Sequence, residues 1–461
     1  MSELSFSTLE LKPELQETLD SLGFKEMTAI QAKSLPIVLS GKDVIAQGKT
    51  GSGKTVAFGL GLLQSLDVKR FRIQAMVLCP TRELADQVAT EIRKLARGIH
   101  NIKVLTLCGG TPMGPQIGSL EHGAHIIVGT PGRILDHLDK GRIDLNALQT
   151  LILDEADKML EMGFQEALDA IISMAPVERQ SLLFSATFPE QIEWIAGKLL
   201  RSPEKVKVES THASSSIRQA FYEVDDFDHR LQATQLILKA HKPVSTVVFC
   251  NTKADTVEVT EHLITLGFVA KALNGDLEQK DRDQTLIRFA NKSISILVAT
   301  DVASRGLDID NLDAVINFNL AHDPDTHVHR IGRTGRAGNQ GCSYSLFSHK
   351  DSHKLVDIED YMKISVEESQ LPNDAVLNEP AFGPEFATLR IDGGKKQKVR
   401  AGDVLGALTG KSGIDGKFVG KINILDHCAY VGINKKAAKE ALKKLESGKI
   451  KGRSFRVWRV R

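Results

Sequence analysis

Long apolar runs are missing from this 461-residue chain. Nowhere do about 18 apolar residues follow one another, so no membrane-spanning helix is expected. The N-terminus has no basic region followed by an apolar one, which argues against a signal peptide. Cysteine is scarce: Cys79, Cys108, Cys250, Cys342 and Cys428 are scattered, with no C-x-x-C pair. That spacing argues against a zinc site of the usual kind and against a disulfide framework. A reducing, cytoplasmic compartment follows as the simplest expectation. Cys79, Cys250 and Cys428 lie in apolar strand-like runs and are expected to be small core residues.

Net charge is nearly absent too, at +1, but that balance hides an asymmetry. Residues 385–461 hold 19 Lys/Arg against 7 Asp/Glu, a surplus of +12, which leaves −11 on the rest. A basic tail on an acidic body points to a polyanionic partner for the tail.

What is present is rhythm. Short apolar runs at 75–79, 125–128, 150–153 and 181–184 read as buried parallel strands. Helical patterns separate them, such as 82–96 with Leu84, Val88, Ile92 and Leu95 on one stripe. Strands alternating with helices predict an α/β fold. The layout occurs twice, giving expected lobes at 1–208 and 218–365, a polar linker at 209–217 and a Pro-containing linker at 366–384. The tail, 385–461, reads β-α-β-β-α-β, the order of small α+β RNA-binding sheets.

Gly48, Thr50, Gly51, Ser52, Gly53, Lys54 and Thr55 belong to a G-x-x-x-x-G-K-T loop between a strand-like run and a helical one. Glycines let backbone N–H groups approach phosphate oxygens, and the helix N-terminus adds a favourable dipole. Lys54 suits the β- and γ-phosphates of ATP, and Thr55 suits Mg²⁺. About 100 residues later, the apolar run 151–153 delivers Asp154 and Glu155, followed by Ala156 and Asp157. Asp154 is placed to bind the metal, partly through water, and Glu155 to polarise the attacking water.

With these motifs the chain resembles the DEAD-box RNA helicases over roughly residues 4–350. The resemblance implies two tandem RecA-like parallel-sheet lobes, ATP and Mg²⁺ as cofactors, RNA as partner and RNA-stimulated ATPase activity. Phe6, Phe24 and Gln31 match residues that read or support adenine, although Met27 and Ala29 stand where the family has prolines. Pro80, Arg82, Gly110, Thr130 and Arg133 match RNA-backbone motifs of the first lobe. Ser185-Ala186-Thr187 matches the motif that links ATP state to duplex opening. Thr252, Arg282 and Thr300 match RNA motifs of the second lobe, where Asn274 replaces a frequent histidine. Gly306 and Asp308 match nucleotide contacts. Arg333 and Arg336 match the arginines that stabilise the transferring phosphoryl group from the other lobe. His327 and His329 have no carboxylate or cysteine at ligand spacing and are not expected to bind metal.

The tail resembles that of a bacterial branch of the family. In that branch an RRM-like module directs the enzyme to a hairpin of large-subunit ribosomal RNA, implying work on pre-ribosomal particles. Cys428 stands where sheet aromatics often do, so recognition is expected to lean on Lys395, Lys396, Lys398, Arg400, Lys449, Lys451 and Arg453, with Tyr430 the remaining stacking candidate. No obligate protein partner is evident. An ATP-gated RNA clamp or annealer would use the same motifs, and a DNA helicase is a second alternative.

Overall fold

The computed structural model describes residues 4–48, 51–188, 190–208, 217–304, 312–335, 340–410 and 413–460. The chain divides into two compact units, the first lobe and the second lobe with the tail.

In the first unit, β1 (Val44–Gln47), β2 (Ala75–Leu78), β3 (Val104–Leu107), β4 (Ile126–Gly129), β5 (Thr150–Asp154), β6 (Gln180–Ser185) and β7 (Glu204–Lys207) make one seven-stranded sheet. Every pairing is parallel, in the order β3-β4-β2-β5-β6-β1-β7. Helices cover both faces, so the central strands are buried along their whole length. That is why they read as continuous apolar runs rather than alternating ones. The helix Arg82–Leu95 shows the local logic. Thr81 caps it by accepting the Leu84 N–H at 3.2 Å, Glu83 sits in its first turn, and Arg93 and Lys94 sit in its last. Its stripe of Leu84, Val88, Ile92 and Leu95 enters the core, each side chain contributing about 1.5–3 kcal/mol by burial.

The second unit has strands β8 (Ile217–Glu223), β9 (Thr246–Phe249), β10 (Ala270–Leu273), β11 (Ile296–Ala299), β12 (Ala314–Asn317) and β13 (Gly341–Phe347). They form a six-stranded parallel sheet in the order β10-β11-β9-β12-β13-β8. Residues 366–384 run along this lobe. Leu371, Ala381 and Phe382 pack on its core, and Lys239 Nζ donates to the carbonyls of Leu377 and Glu379, both at 2.7 Å.

The tail forms an antiparallel sheet β15-β16-β14-β17 from β14 (Phe386–Ile391), β15 (Val419–Ile424), β16 (Ala429–Asn434) and β17 (Val457–Arg459). Helices Ala401–Thr409 and Ala438–Ser447 contribute to its core with Leu389, Val431 and Val457. Alternation along the strands sends Thr388, Tyr430 and Gly432 to the other face, and there the second lobe meets them. Thr388 Oγ1 and Ser293 Oγ share a hydrogen bond of 2.6 Å, and Tyr430 bonds Gln284. A Cβ on Gly432 would lie 3.3 Å from Asn291. Cys428, expected in the core, is half-buried, because it precedes β16 rather than lying within it.

Candidate nucleotide site and RNA interface

The first sheet sorts the sequence motifs into two groups along its C-terminal edge. Loops after β5, β6 and β1 carry the nucleotide motifs, and loops after β3, β4 and β2 carry the RNA motifs. Ligands bind at such strand ends because helix N-termini and loop N–H groups converge there.

After β1 the chain enters the helix Lys54–Ser65 through Gly51 and Gly53, with φ of 80° and 93°. A Cβ on Gly53 would also fall 2.4 Å from Gln31 Nε2 and push that amide from its place. Gln31 Nε2 donates to the Gly53 carbonyl at 3.1 Å, and Thr28 Oγ1 donates to the Ser52 carbonyl at 2.7 Å. The Gln31 Oε1 accepts the Thr28 N–H at 2.8 Å. Gln31 therefore ties its own helix start to the phosphate loop. Lys54, buried, donates to the Gly48 carbonyl at 2.9 Å, and the Gly48 N–H reaches the Ser185 carbonyl at 3.0 Å.

Strand β5 carries Asp154 to the same edge. Glu155 follows in a left-handed conformation, φ 53° and ψ 52°, unusual for a residue with a side chain. Burial raises the Asp154 carboxyl to about 7, Lys54 opposes that rise and Glu155 adds to it. Asp154 Oδ1 is buried without a hydrogen-bond partner among the described residues, and so is Ser52 Oγ. Thr50, Gly306, Asp308 and Arg336 lie outside the described residues.

Phe6, Pro80 and Tyr430, expected to touch ligands, are buried, as Gln31, Lys54, Asp154 and Glu155 are. Phe6 is 1% exposed and packs edge-on against Phe24, with ring centroids 6.1 Å apart, so its place is in the core. Pro80 is buried at the end of β2. Tyr430 is 3% exposed, because the second lobe covers its sheet face. Met27 also fills the core, and its N–H bonds the Leu4 carbonyl at 2.6 Å, a bond that a proline there could not make.

The remaining RNA-motif residues fall where the strand ends place them. Arg82 and Thr81 follow β2, Gly110 follows β3 with φ 71°, and Thr130 follows β4. Arg133 Nη1 donates to the Thr111 carbonyl at 3.1 Å, which joins the last two loops. In the second lobe Thr252 and Thr300 follow β9 and β11, next to each other in the sheet. Thr252 Oγ1 caps its helix at the Asp255 N–H, and Arg282 Nη2 donates to the Ala303 carbonyl at 2.7 Å. Asn274 is buried and donates to Thr256 Oγ1 at 2.9 Å, while its Oδ1 accepts the Asp276 N–H at 3.1 Å.

Sequence reading passed over Arg330, the hub of this lobe. It gives two hydrogen bonds of 2.7 Å to Asp301 and one of 2.8 Å to Asn251, and it donates to the Asn319 carbonyl at 2.7 Å and more weakly to Asn317 Oδ1 at 3.4 Å. Its guanidinium lies 5.1 Å from the centre of the Phe249 ring. Arg333, three residues later, is half-buried. His327 is buried against Phe221, and His329 meets Asp325 at 3.3 Å.

The tail's basic residues come together. Ile450 and Arg453 close a tight turn whose central residues, Lys451 and Gly452, have φ of 52° and 79°. From that turn Lys451 Nζ reaches the Lys398 carbonyl at 3.2 Å. Lys395, Lys396, Lys398, Arg400, Lys449, Lys451 and Arg453 are all exposed. Two segments about 50 residues apart in the chain thus form one basic surface.

Three family models match in order: DEAD/DEAH box helicase over residues 28–195, helicase conserved C-terminal domain over 228–338, and DbpA RNA binding domain over 388–459. The ATP-dependent RNA helicase DbpA of Escherichia coli K12 is 53% identical over 454 residues, 98% of this chain and 99% of that protein. The chain belongs to the DbpA family of DEAD-box ATP-dependent RNA helicases. DbpA of Bacillus subtilis is 34% identical, covering 98% of both chains. Among solved structures, Saccharomyces cerevisiae Dbp5 bound to RNA and ADP BeF3 superposes with a TM-score of 0.71 at 29% identity, over 80% of this chain and 96% of that one. As a DbpA-family enzyme the protein uses ATP and binds RNA. Among the described residues no helix is long and apolar enough to cross a membrane.

Proposed function

We propose that this helicase locally unwinds or remodels large-subunit ribosomal RNA in the cytoplasm during subunit assembly, and that its tail directs it to an rRNA hairpin. The observation that carries the reading is the exposed basic surface on which Lys451 meets the loop of Lys395, Lys396 and Lys398. Phosphate contacts of that kind position a protein on RNA and make its binding steeply salt-dependent.

ATP cleavage is assigned to the first lobe. The backbone of Gly48 to Gly53 and Lys54 hold the phosphates, and Glu155 orients the attacking water. The unpartnered Asp154 Oδ1 suits a cation, so Asp154 and Thr55 would hold Mg²⁺, which neutralises charge on the phosphates when bound. Arg333 and Arg336 are proposed to stabilise the transferring phosphoryl group. ATP and single-stranded RNA then each strengthen binding of the other.

The test compares ATPase stimulation of the full chain by a large-subunit rRNA fragment and by unrelated RNA of equal length. The fragment should stimulate at far lower concentration, and replacing Lys395, Lys396 and Lys449 by alanine should erase that difference. Equal stimulation by both RNAs in the unaltered chain contradicts the targeting. A duplex-release assay separates a helicase from a clamp that binds without opening duplexes.

A further inference from the structure

Beneath the first lobe's RNA-motif loops lie two buried polar side chains with no role so far. Gln116, on the helix Met113–Glu121, is 8% exposed. Its Nε2 donates to the Cys108 carbonyl at 3.0 Å and to Thr111 Oγ1 at 2.5 Å. The Thr111 hydroxyl in turn donates to the same Cys108 carbonyl at 2.8 Å. Both ends of the Gly109-Gly110 loop are therefore gathered onto one amide.

The other half of that amide faces His137. Gln116 Oε1 lies 3.0 Å from His137 Nε2. An amide oxygen only accepts, so His137 carries its proton on Nε2. The ring is fully buried, and burial, with Arg142 and Arg133 nearby, holds its pKa below the ordinary imidazole value and keeps it neutral. His137 stands on the helix Pro131–Asp139, which begins directly after Thr130 and carries Arg133.

The bond thus joins the loop after β3 to the helix after β4. Two more ties run alongside it: the exposed Gly109 N–H to Thr130 Oγ1 at 3.4 Å, and the part-buried Arg133 guanidinium to the Thr111 carbonyl at 3.1 Å. Water competes for the first, whereas the buried amide–imidazole pair is shielded. An apolar pair of equal volume would serve packing as well, since a buried amide–imidazole bond adds little net stability. What it adds is a fixed distance between two loops.

We propose that Gln116 and His137 are positioning residues: a buried brace that sets the spacing of the Gly110 and Thr130–Arg133 loops for neighbouring phosphates of one RNA strand. The inference rests on the reading of Gly110, Thr130 and Arg133 as RNA contacts.

RNA-stimulated ATPase of the full chain tests it, with Gln116→Leu, Gln116→Asn, His137→Leu, His137→Gln, the double leucine variant and Arg133→Ala. Gln116→Asn keeps the amide but is too short to span, and it serves if leucine is not tolerated. Loss of the brace should raise the half-stimulating RNA concentration about fivefold or more, the scale of one hydrogen bond. Turnover at saturating RNA and without RNA should stay within about twofold. The double variant should be no worse than the worse single one, and His137→Gln, which retains a donor, should recover most of the loss. A half-stimulating concentration unchanged in both Gln116 variants overturns the brace. If Arg133→Ala weakens RNA stimulation while the Gln116 variants do not, the RNA face stands and the brace alone falls. If all are silent, the face is misassigned and the brace falls with it.

Discussion

Asp157 Oδ2 accepts the Thr187 hydroxyl at 2.9 Å and the N–H groups of Thr187 and Ala186 at 3.0 and 3.2 Å. Burial opposes ionisation of this carboxyl, but Lys158 and the Thr187 donors outweigh it and hold its pKa below the usual range. The last residue of the acidic motif is thereby locked to the turn after β6. Thr187→Val removes one bond to a charged acceptor, a loss of about 1.5–3 kcal/mol in that link. RNA-stimulated ATP turnover should stay within about threefold while duplex release falls about tenfold or more. Parallel ATPase and strand-release assays check this, and an equal fall in both would show that the turn serves ATP cleavage alone.

Arg330 has all five of its donors engaged, two of them on Asp301. Arg330→Leu leaves that carboxylate without its partner in a largely buried setting and should cost the second lobe about 3–5 kcal/mol. Arg330→Lys should recover little, because one ammonium cannot span Asn251, Asp301 and the Asn319 carbonyl together. Urea unfolding of the full chain reads the loss. A change below about 1 kcal/mol would mean that the network is dispensable.

Asp154 has the clearest pH signature. Burial, less the pull of Lys54, puts its carboxyl at about 7. A cation binds the ionised form, so Mg²⁺-nucleotide affinity should climb by up to about tenfold per pH unit from about pH 6 to 7 and level off above. Stability of the ligand-free protein runs the other way. A carboxyl whose pKa is raised by folding favours the folded state below its unfolded pKa, and that contribution is lost as pH rises toward 7. Titration with a fluorescent nucleotide across this range checks the first trend, and a flat profile contradicts it. Lys54→Met should move the rise in affinity to higher pH, because it removes the charge that holds Asp154 down.

Much of this was legible because the chemistry is contiguous in the chain. The phosphate loop and Asp154-Glu155 each announce themselves within a few consecutive residues, and the tail's strand order follows from one continuous segment. The buried cross-links do not. Gln116 with His137, and Thr388 with Ser293, join segments 21 and 95 residues apart, and nothing in either segment names its partner. Burial is not legible either. Phe6, Pro80 and Tyr430 occupy motif positions and are buried, because a motif records order in the chain and not exposure. Residues 366–384 look like a linker from their prolines, but Lys239 and Phe268 hold them against the second lobe.

Glu155 takes a left-handed backbone directly after Asp154, and we propose that ATP cleavage turns on it. The most direct measurement is steady-state ATP turnover by Glu155→Gln with saturating RNA, alongside its affinity for ATP. Turnover should fall by about a hundredfold or more with ATP binding retained, since the variant keeps the shape of the site and loses the carboxylate. Turnover close to that of the unaltered enzyme would contradict the assignment of ATP cleavage to this site.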